Sequence, residues 1–256
     1  MPRHVFLLKE LVKRDFTGRY AGSVLGFVWS FVQPLWLLLL FTFVFSTVMK
    51  ISLVGERTEN FGVFLFAGLL PWMAILEGVQ RGASAITDNA QLVKKLTFPS
   101  EILVVAVVLA AVLHELIGLA VFVVVLAAMG ELSPASLPLL VPALALQLAL
   151  TFGLASLMAA VNVFFRDVVQ ILGLVMNGWF YLTPVVYPLD LVPEAFRPLI
   201  ELNPLTPLVD LYRQALLGGD GALPGGSGLL VVTSGLLLLL GWSTYRRLKP
   251  TFVDEI

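Results

Sequence analysis

Between Ile102 and Met129 the chain runs "ILVVAVVLAAVLHELIGLAVFVVVLAAM", apolar throughout except for His114 and Glu115 at its middle. Such a run is long enough for a helix to cross the roughly 30 Å hydrocarbon layer of a bilayer, which takes about 20 residues. In that layer water cannot satisfy the backbone, so the run is a helix or nothing. Five more apolar runs of similar length follow the same rule, which predicts spans over 24–49, 61–80, 102–129, 138–162, 168–187 and 227–245. Composition agrees: hydrophobic residues make up 59% and charged residues 13%, and mean hydropathy is +0.95, where soluble domains run near a quarter charged. The expected fold is therefore all-α, one polytopic membrane domain over 1–256 with six transmembrane helices.

Lys and Arg give the orientation. Arg3, Lys9, Lys13, Arg14, Arg19, Arg81, Lys94, Lys95, Arg166, Arg246, Arg247 and Lys249 fall on the side of the N-terminus, and only Lys50, Arg57, Arg197 and Arg213 on the other. The positive-inside rule then puts both termini in the cytoplasm. The opening "MPRHVFLLKELVKRDF" is broken by charge, unlike the core of a cleavable signal peptide, so it is expected to stay on the mature protein. Over 3–20, Val5, Leu8, Val12 and Phe16 form one apolar face with the charges turned away from it, the pattern of a helix lying in the membrane interface.

Two segments are neither spans nor ordinary loops. Residues 190–217 follow "YLTPVVYPLD" and hold Asp190, Glu194, Arg197, Glu201, Asp210 and Arg213. Each would cost roughly 3 kcal/mol at the centre of a lipid-exposed helix, which excludes a span. Yet "NPLTPLVDLYRQALLGG" has helical apolar spacing, Pro207 in a first turn and Gly218 as a C-cap. With a shorter piece near 193–202 it predicts a re-entrant helical hairpin at the extracytoplasmic end, tolerated only where protein or a water-filled cavity covers it. On the other side, "RGASAITDNAQLVKKLTFPSEI" predicts a short helix capped by Thr87 or Asp88 and stopped at Phe98-Pro99. A short helix with exposed apolar residues suits a partner, or else the membrane surface.

Several chemistries are excluded. The chain contains no cysteine, hence no disulfide or thiolate site. It has no GxxxxGK[ST] run, so any ATP is hydrolysed by another polypeptide. A net charge of -1 gives no attraction to nucleic acid. No metal cluster or paired nucleophile and base is visible, which argues against an intramembrane enzyme.

The succession "RYAGSVLGFVWSFVQPLWLLLLFTFVFS", "LVKKLTFPSEI", "NVFFRDVVQIL", "TPVVYPLDLVP" and "NPLTPLVDLYRQALL" resembles, in order and over nearly the whole chain, the membrane subunit of ABC-2-type polysaccharide exporters. These are the permeases for O-antigen, teichoic acid and capsule. The resemblance implies a homodimeric, multi-pass permease of the bacterial inner membrane. It would bind two copies of a separate ATPase that holds ATP and Mg, and would export lipid-linked polysaccharide. It implies that 85–99 contains the coupling helix, with Asp88, Leu92, Lys94, Lys95 and Phe98 toward the ATPase. The gate would follow the fifth span, with Tyr187, Asp190, Asp210 and Arg213. A permease for drugs or small amphiphiles in the same superfamily is the alternative.

Sugar passage favours aromatic rings that stack on pyranose faces. Trp29, Gln33, Trp36 and Phe43 share one stripe of the first span, expected to face the pathway opposite Trp179, Phe180 and Tyr181. The competing reading gives Trp29 to the interfacial aromatic belt and the others to packing or lipid. His114 and Glu115 admit interhelical hydrogen bonding, with Gln147 and Asn177 as mid-span amides, or a proton relay. Glu77 and Arg81, one turn apart, read as a local ion pair.

Overall fold

The computed structural model describes residues 3–18, 22–51, 53, 55–95, 99–219 and 223–256, and among these it is helical with no strand. The elements are α1 (Arg3–Gly18), α2 (Trp29–Phe41), α3 (Phe61–Asp88), α4 (Ala90–Lys95), α5 (Glu101–Met129), α6 (Leu140–Phe164), α7 (Val168–Tyr181), α8 (Arg197–Glu201), α9 (Leu205–Leu217), α10 (Ser227–Leu248) and α11 (Phe252–Glu255). Five continuous helical stretches are long and apolar enough to cross a membrane: Gly26–Val48, Phe61–Asp88, Glu101–Met129, Pro134–Phe164 and Ser227–Glu255.

The sixth expected crossing differs. Helix α7 stops at Tyr181, so its apolar stretch, Val168–Leu182, is short. Pro184 and Pro188 lack the amide hydrogen that another turn requires and force the residues before them out of the helical region. The chain instead turns through 182–188. Asn203 fixes that turn: its Oδ1 accepts from Trp179 Nε1 at 2.9 Å and from the Leu205 amide at 3.0 Å, while its Nδ2 donates to Leu182 O at 3.1 Å and Thr183 Oγ1 at 2.9 Å.

Helix α3 is the axis of the bundle, packed by α2, α5, α6, α7 and α9. Its glycines explain how so many helices reach it. A Cβ on Gly78 would stand 2.7 Å from Thr151 Cγ2, and one on Gly82 2.7 Å from Ala155 Cβ, so α6 lies directly against this face. Small residues one turn apart are what close approach in a bilayer uses, since lipid supplies no hydrophobic drive between helices. Helix α10 packs mainly on α6, where Gly153 and Gly241 meet.

The bundle has two ends. One gathers α1, α4, the start of α5, the 164–168 turn and α11; the other gathers the 55–60 segment, the 130–134 turn, α8 and α9. Helix α1 differs from its sequence expectation in its partners. Leu11 is buried and Leu7, Leu8 and Val12 pack beside it on the cluster formed by α3, α5 and α6, whereas Val5 is exposed. The apolar face is thus rotated toward α5, which α1 packs along.

Candidate functional site

Three groups of residues were singled out by the sequence, and each occupies a distinct place. The aromatic stripe lies on the outside of α2 and of the helical segment Thr42–Val48 that continues it: Trp36 is 63% and Phe43 62% exposed, and Gln33 is exposed with them. Trp29 is also exposed, its indole N–H donating to Ser23 Oγ at 3.0 Å. On α7 the aromatics divide. Phe180 turns inward to meet Trp72 at 5.4 Å and Trp179 is held by Asn203, whereas Tyr181 is 68% exposed. Within one chain α2 packs chiefly on α3 and α5, and α7 on α3 and α6, so the two sets flank α3 on separate helices.

The end that carries α8 and α9 holds a cavity of about 500 Å³, whose wall takes in Asp210 and Arg213 of the expected gate residues but not Tyr187 or Asp190. Its wall includes Glu56, Glu201, Asp210 and Arg213, with Pro184 and Pro207. Asp210 pairs with Arg57 at 2.5 Å, a partner 153 residues away that sequence reasoning did not assign. Arg213 is buried instead of reaching Asp210: its Nε donates to Phe64 O at 3.3 Å, its Nη2 to Val185 O at 3.0 Å, and its guanidinium lies 3.6 Å from the centre of the Phe64 ring. It ties α9 to α3 and to the turn after α7. Gly68 makes room for it, since a Cβ there would sit 3.2 Å from Arg213 Nη2. Tyr187 donates to Tyr181 O at 2.9 Å, and Asp190 stands 3.7 Å from Arg197, which also donates to Asp190 O at 3.2 Å.

Glu56, also missed from sequence because its loop carries no pattern, is half-buried, and that burial pushes its carboxyl above the ordinary 4.5 while Arg213 and Arg57 oppose the rise. A carboxyl raised in the fold favours the folded state when protonated, so the stability it lends is full below pH 4.5 and is lost as pH rises through its folded value. Thermal melts should therefore coincide for the wild type and Glu56→Gln at about pH 4 and separate on moving to neutrality, with the variant the more stable. A wild type that gains on the variant with rising pH would contradict this.

At the opposite end, neither Thr87 nor Asp88 caps a helix as expected. Helix α3 runs on through both, Asp88 accepting from Ser84 Oγ at 2.6 Å, and α4 begins only after Asn89. The segment is held from several sides: Arg14 donates to Asn89 Oδ1 at 3.0 Å, Asn162 Nδ2 to Thr87 Oγ1 at 3.2 Å, and Arg81 pairs with both Glu77 at 2.9 Å and Asp15. Beyond it, Ser100 accepts from Tyr245 Oη at 2.9 Å, Glu101 pairs with Lys249 at 2.7 Å, and Phe252 is buried against Tyr245 and Phe164. Leu92 is half-buried, Lys94 exposed, and Lys95 closes α4; Phe98 lies outside the described residues.

At mid-depth a buried chain joins three helices. Gln147 Nε2 donates to Glu115 Oε2 and Tyr212 Oη donates to Gln147 Oε1, both at 2.5 Å. Glu115 and Gln147 were legible as intramembrane polar residues; Tyr212 was legible only as part of an apolar helix face. The arrangement offers no nucleophile poised on a base, and among the described residues no cluster of side chains could hold a metal ion.

The family model described as ABC-2 type transporter matches residues 7–217. The chain is 36% identical to the O-antigen export system permease protein RfbA of Myxococcus xanthus, over 81% of this chain and 78% of that protein. It is 32% identical to the RfbA permease of Klebsiella pneumoniae, over 83% of this chain and 81% of the relative, and 22% identical to the polysialic acid transport protein KpsM of Escherichia coli over the same shares. A match that runs from α1 through α9 takes in both ends of the bundle and the helix that joins them: this chain belongs to the ABC-2 type transporter membrane family.

Proposed function

We propose that this chain is the channel-forming permease subunit of an ATP-driven exporter that moves lipid-linked polysaccharide, O-antigen first among the candidates, from the cytoplasm across the inner membrane. The observation that carries the reading is the likeness, over four-fifths of the chain, to relatives named for O-antigen export and polysialic acid transport. The exposed rings of Trp36, Phe43 and Tyr181 support it, because a wide wet passage binds sugar weakly by stacking on its C–H faces.

In this reading α7 is the fifth of six crossings, shortened because α8 and α9 re-enter from the outer side as gate helices. Helix α1 lies at the cytoplasmic interface, with both termini on that side; the crowding of Lys and Arg at the α1 end supports this. Residues 85–99 meet a separate ATPase, two copies of which bind ATP and Mg and serve two permeases. Two copies of the chain surround the polymer, so that the stripe on α2 and Tyr181 face one passage. Closure of the ATPase then pushes α1 and α4, and the push reaches the pathway through α3, to which Arg81 couples α1.

The test is ATPase activity of the chain purified with the products of its neighbouring genes. Long lipid-linked glycan should stimulate turnover, and a Trp36→Ala, Tyr181→Ala variant that still assembles should lose most of that stimulation. An ATPase partner that ignores glycans and answers to small amphiphiles would move the assignment to a drug exporter.

A further inference from the structure

In the reading above, the exposed faces of α2 and α7 line the passage. Neither helix brings charge to it, since no Asp, Glu, Lys or Arg occurs over 20–49 or 168–189. What α7 exposes is polar without charge: Gln170, Asn177 and Tyr181, spaced by seven and four, share one outward stripe. Gln33 adds a third exposed amide among the rings of α2. An amide facing hydrocarbon is costly, so polar side chains in spans turn to water or to another helix. Amides donate and accept, as sugar hydroxyls do, and so they suit a hydrated polyol. The α8–α9 end carries the opposite of what a polyanion needs. Over 50–60, 131 and 190–213, seven carboxyl side chains stand against four cations. All three guanidinium groups there are already engaged, Arg57 by Asp210, Arg197 by Asp190, and Arg213 by two carbonyls and the Phe64 ring. On the cavity wall, Glu56 and Glu201 have no ion pair among the described residues.

We propose that the permease selects by charge, passing glycans whose repeat units are uncharged and holding back polyanionic ones, with Glu56 and Glu201 at the outer end as the filter. The proposal rests on the transport reading and sharpens its substrate. Pores for anions and phosphates are lined by Arg and Lys, whereas carboxylates favour cations or neutral solutes. A neutral polyol loses nothing beside Glu56 and Glu201, because its hydroxyls donate to carboxylates. A polyanion meets the same carboxylates with every repeat that passes, and no unengaged guanidinium offsets them. The cations gathered at the α1 end add to the bias in the orientation read above, since they hold a polyanion on the side it must leave.

The test uses the complex of this chain with its ATPase in proteoliposomes and two probes that differ only in charge. One is a lipid-linked glucan; the other is the same glucan with its C6 hydroxymethyl groups oxidised to carboxylates. At low salt the neutral probe should cross about fivefold faster, the ratio set by one like-charge encounter in water. Added salt should shrink that ratio by screening, which a difference in shape alone would not do. Glu56→Gln combined with Glu201→Gln should bring the ratio close to one; Glu201 is exposed and Glu56 half-buried, so both sites accept an amide of the same shape. The proposal is overturned by an oxidised glucan that crosses as fast as the neutral one, or by a ratio that neither salt nor the double variant moves. Failure of both probes to cross while ATP is hydrolysed would overturn the transport reading itself, and the charge filter with it.

Discussion

Arg213→Ala should lower the stability of the folded chain by about 3 kcal/mol, the order expected when two carbonyls lose a buried charged donor. The side chain is 5% exposed, donates to the carbonyls of Phe64 and Val185, and stacks on the Phe64 ring. Truncation leaves both carbonyls without that donor and leaves Arg57 as the remaining positive charge beside Glu56 and Asp210. Arg213→Lys should recover only part of the loss, since an ammonium can neither stack flat on Phe64 nor reach two carbonyls with a rigid fork. Unfolding in a titration with sodium dodecyl sulfate measures both variants. Equal stability of Arg213→Ala and the wild type would mean that α9 is not anchored to α3 in this way.

Gly241→Val should prevent a stable bundle from forming. A Cβ at Gly241 would lie 2.0 Å from Gly153 O, and one at Gly153 would lie 2.5 Å from the Leu237 carbonyl. These are backbone atoms, which cannot swing aside as a side-chain tip does, so α6 and α10 must separate along their shared length. Overpacking a core by extra methylenes costs about 1–3 kcal/mol where side chains can adjust, and the penalty here exceeds that range. Gly235→Val, on the same helix with open space beside it, should be near neutral. The pair is read by size-exclusion profile and yield, and equal yields would contradict the close contact.

The apolar runs were readable in the sequence because they act locally. Helix α5 could be bounded almost to the residue, whereas the fifth span was carried to Tyr187, through Pro184 and past the end of α7 at Tyr181. The C-cap at Gly218 was legible for the same reason; its φ of 90° is one that a side chain would oppose. Pairings across the fold were not. Asp210 carries no mark that its partner is Arg57 in the α2–α3 loop, and Arg213, on the same helix, is drawn into the interior by two carbonyls and a ring. Tyr212 reads as one more apolar position on α9 until α6 brings Gln147 to its hydroxyl. The buried face of α1 was half legible: its periodicity is real, but which residues are buried is decided by α5. Glycines 153 and 241 are unremarkable in sequence and critical in packing, because a close approach belongs to two helices at once.

The most direct test of the transport assignment is ATP-driven translocation in proteoliposomes that contain this chain and its partner ATPase, with lipid-linked polysaccharide supplied on the ATPase side and its arrival on the far side measured. Glycan should cross only with hydrolysable ATP, should need both proteins, and should cross far more slowly with the Trp36→Ala, Tyr181→Ala variant. Glycan that stays behind while the complex hydrolyses ATP, or a chain that recruits no ATPase, would contradict the assignment.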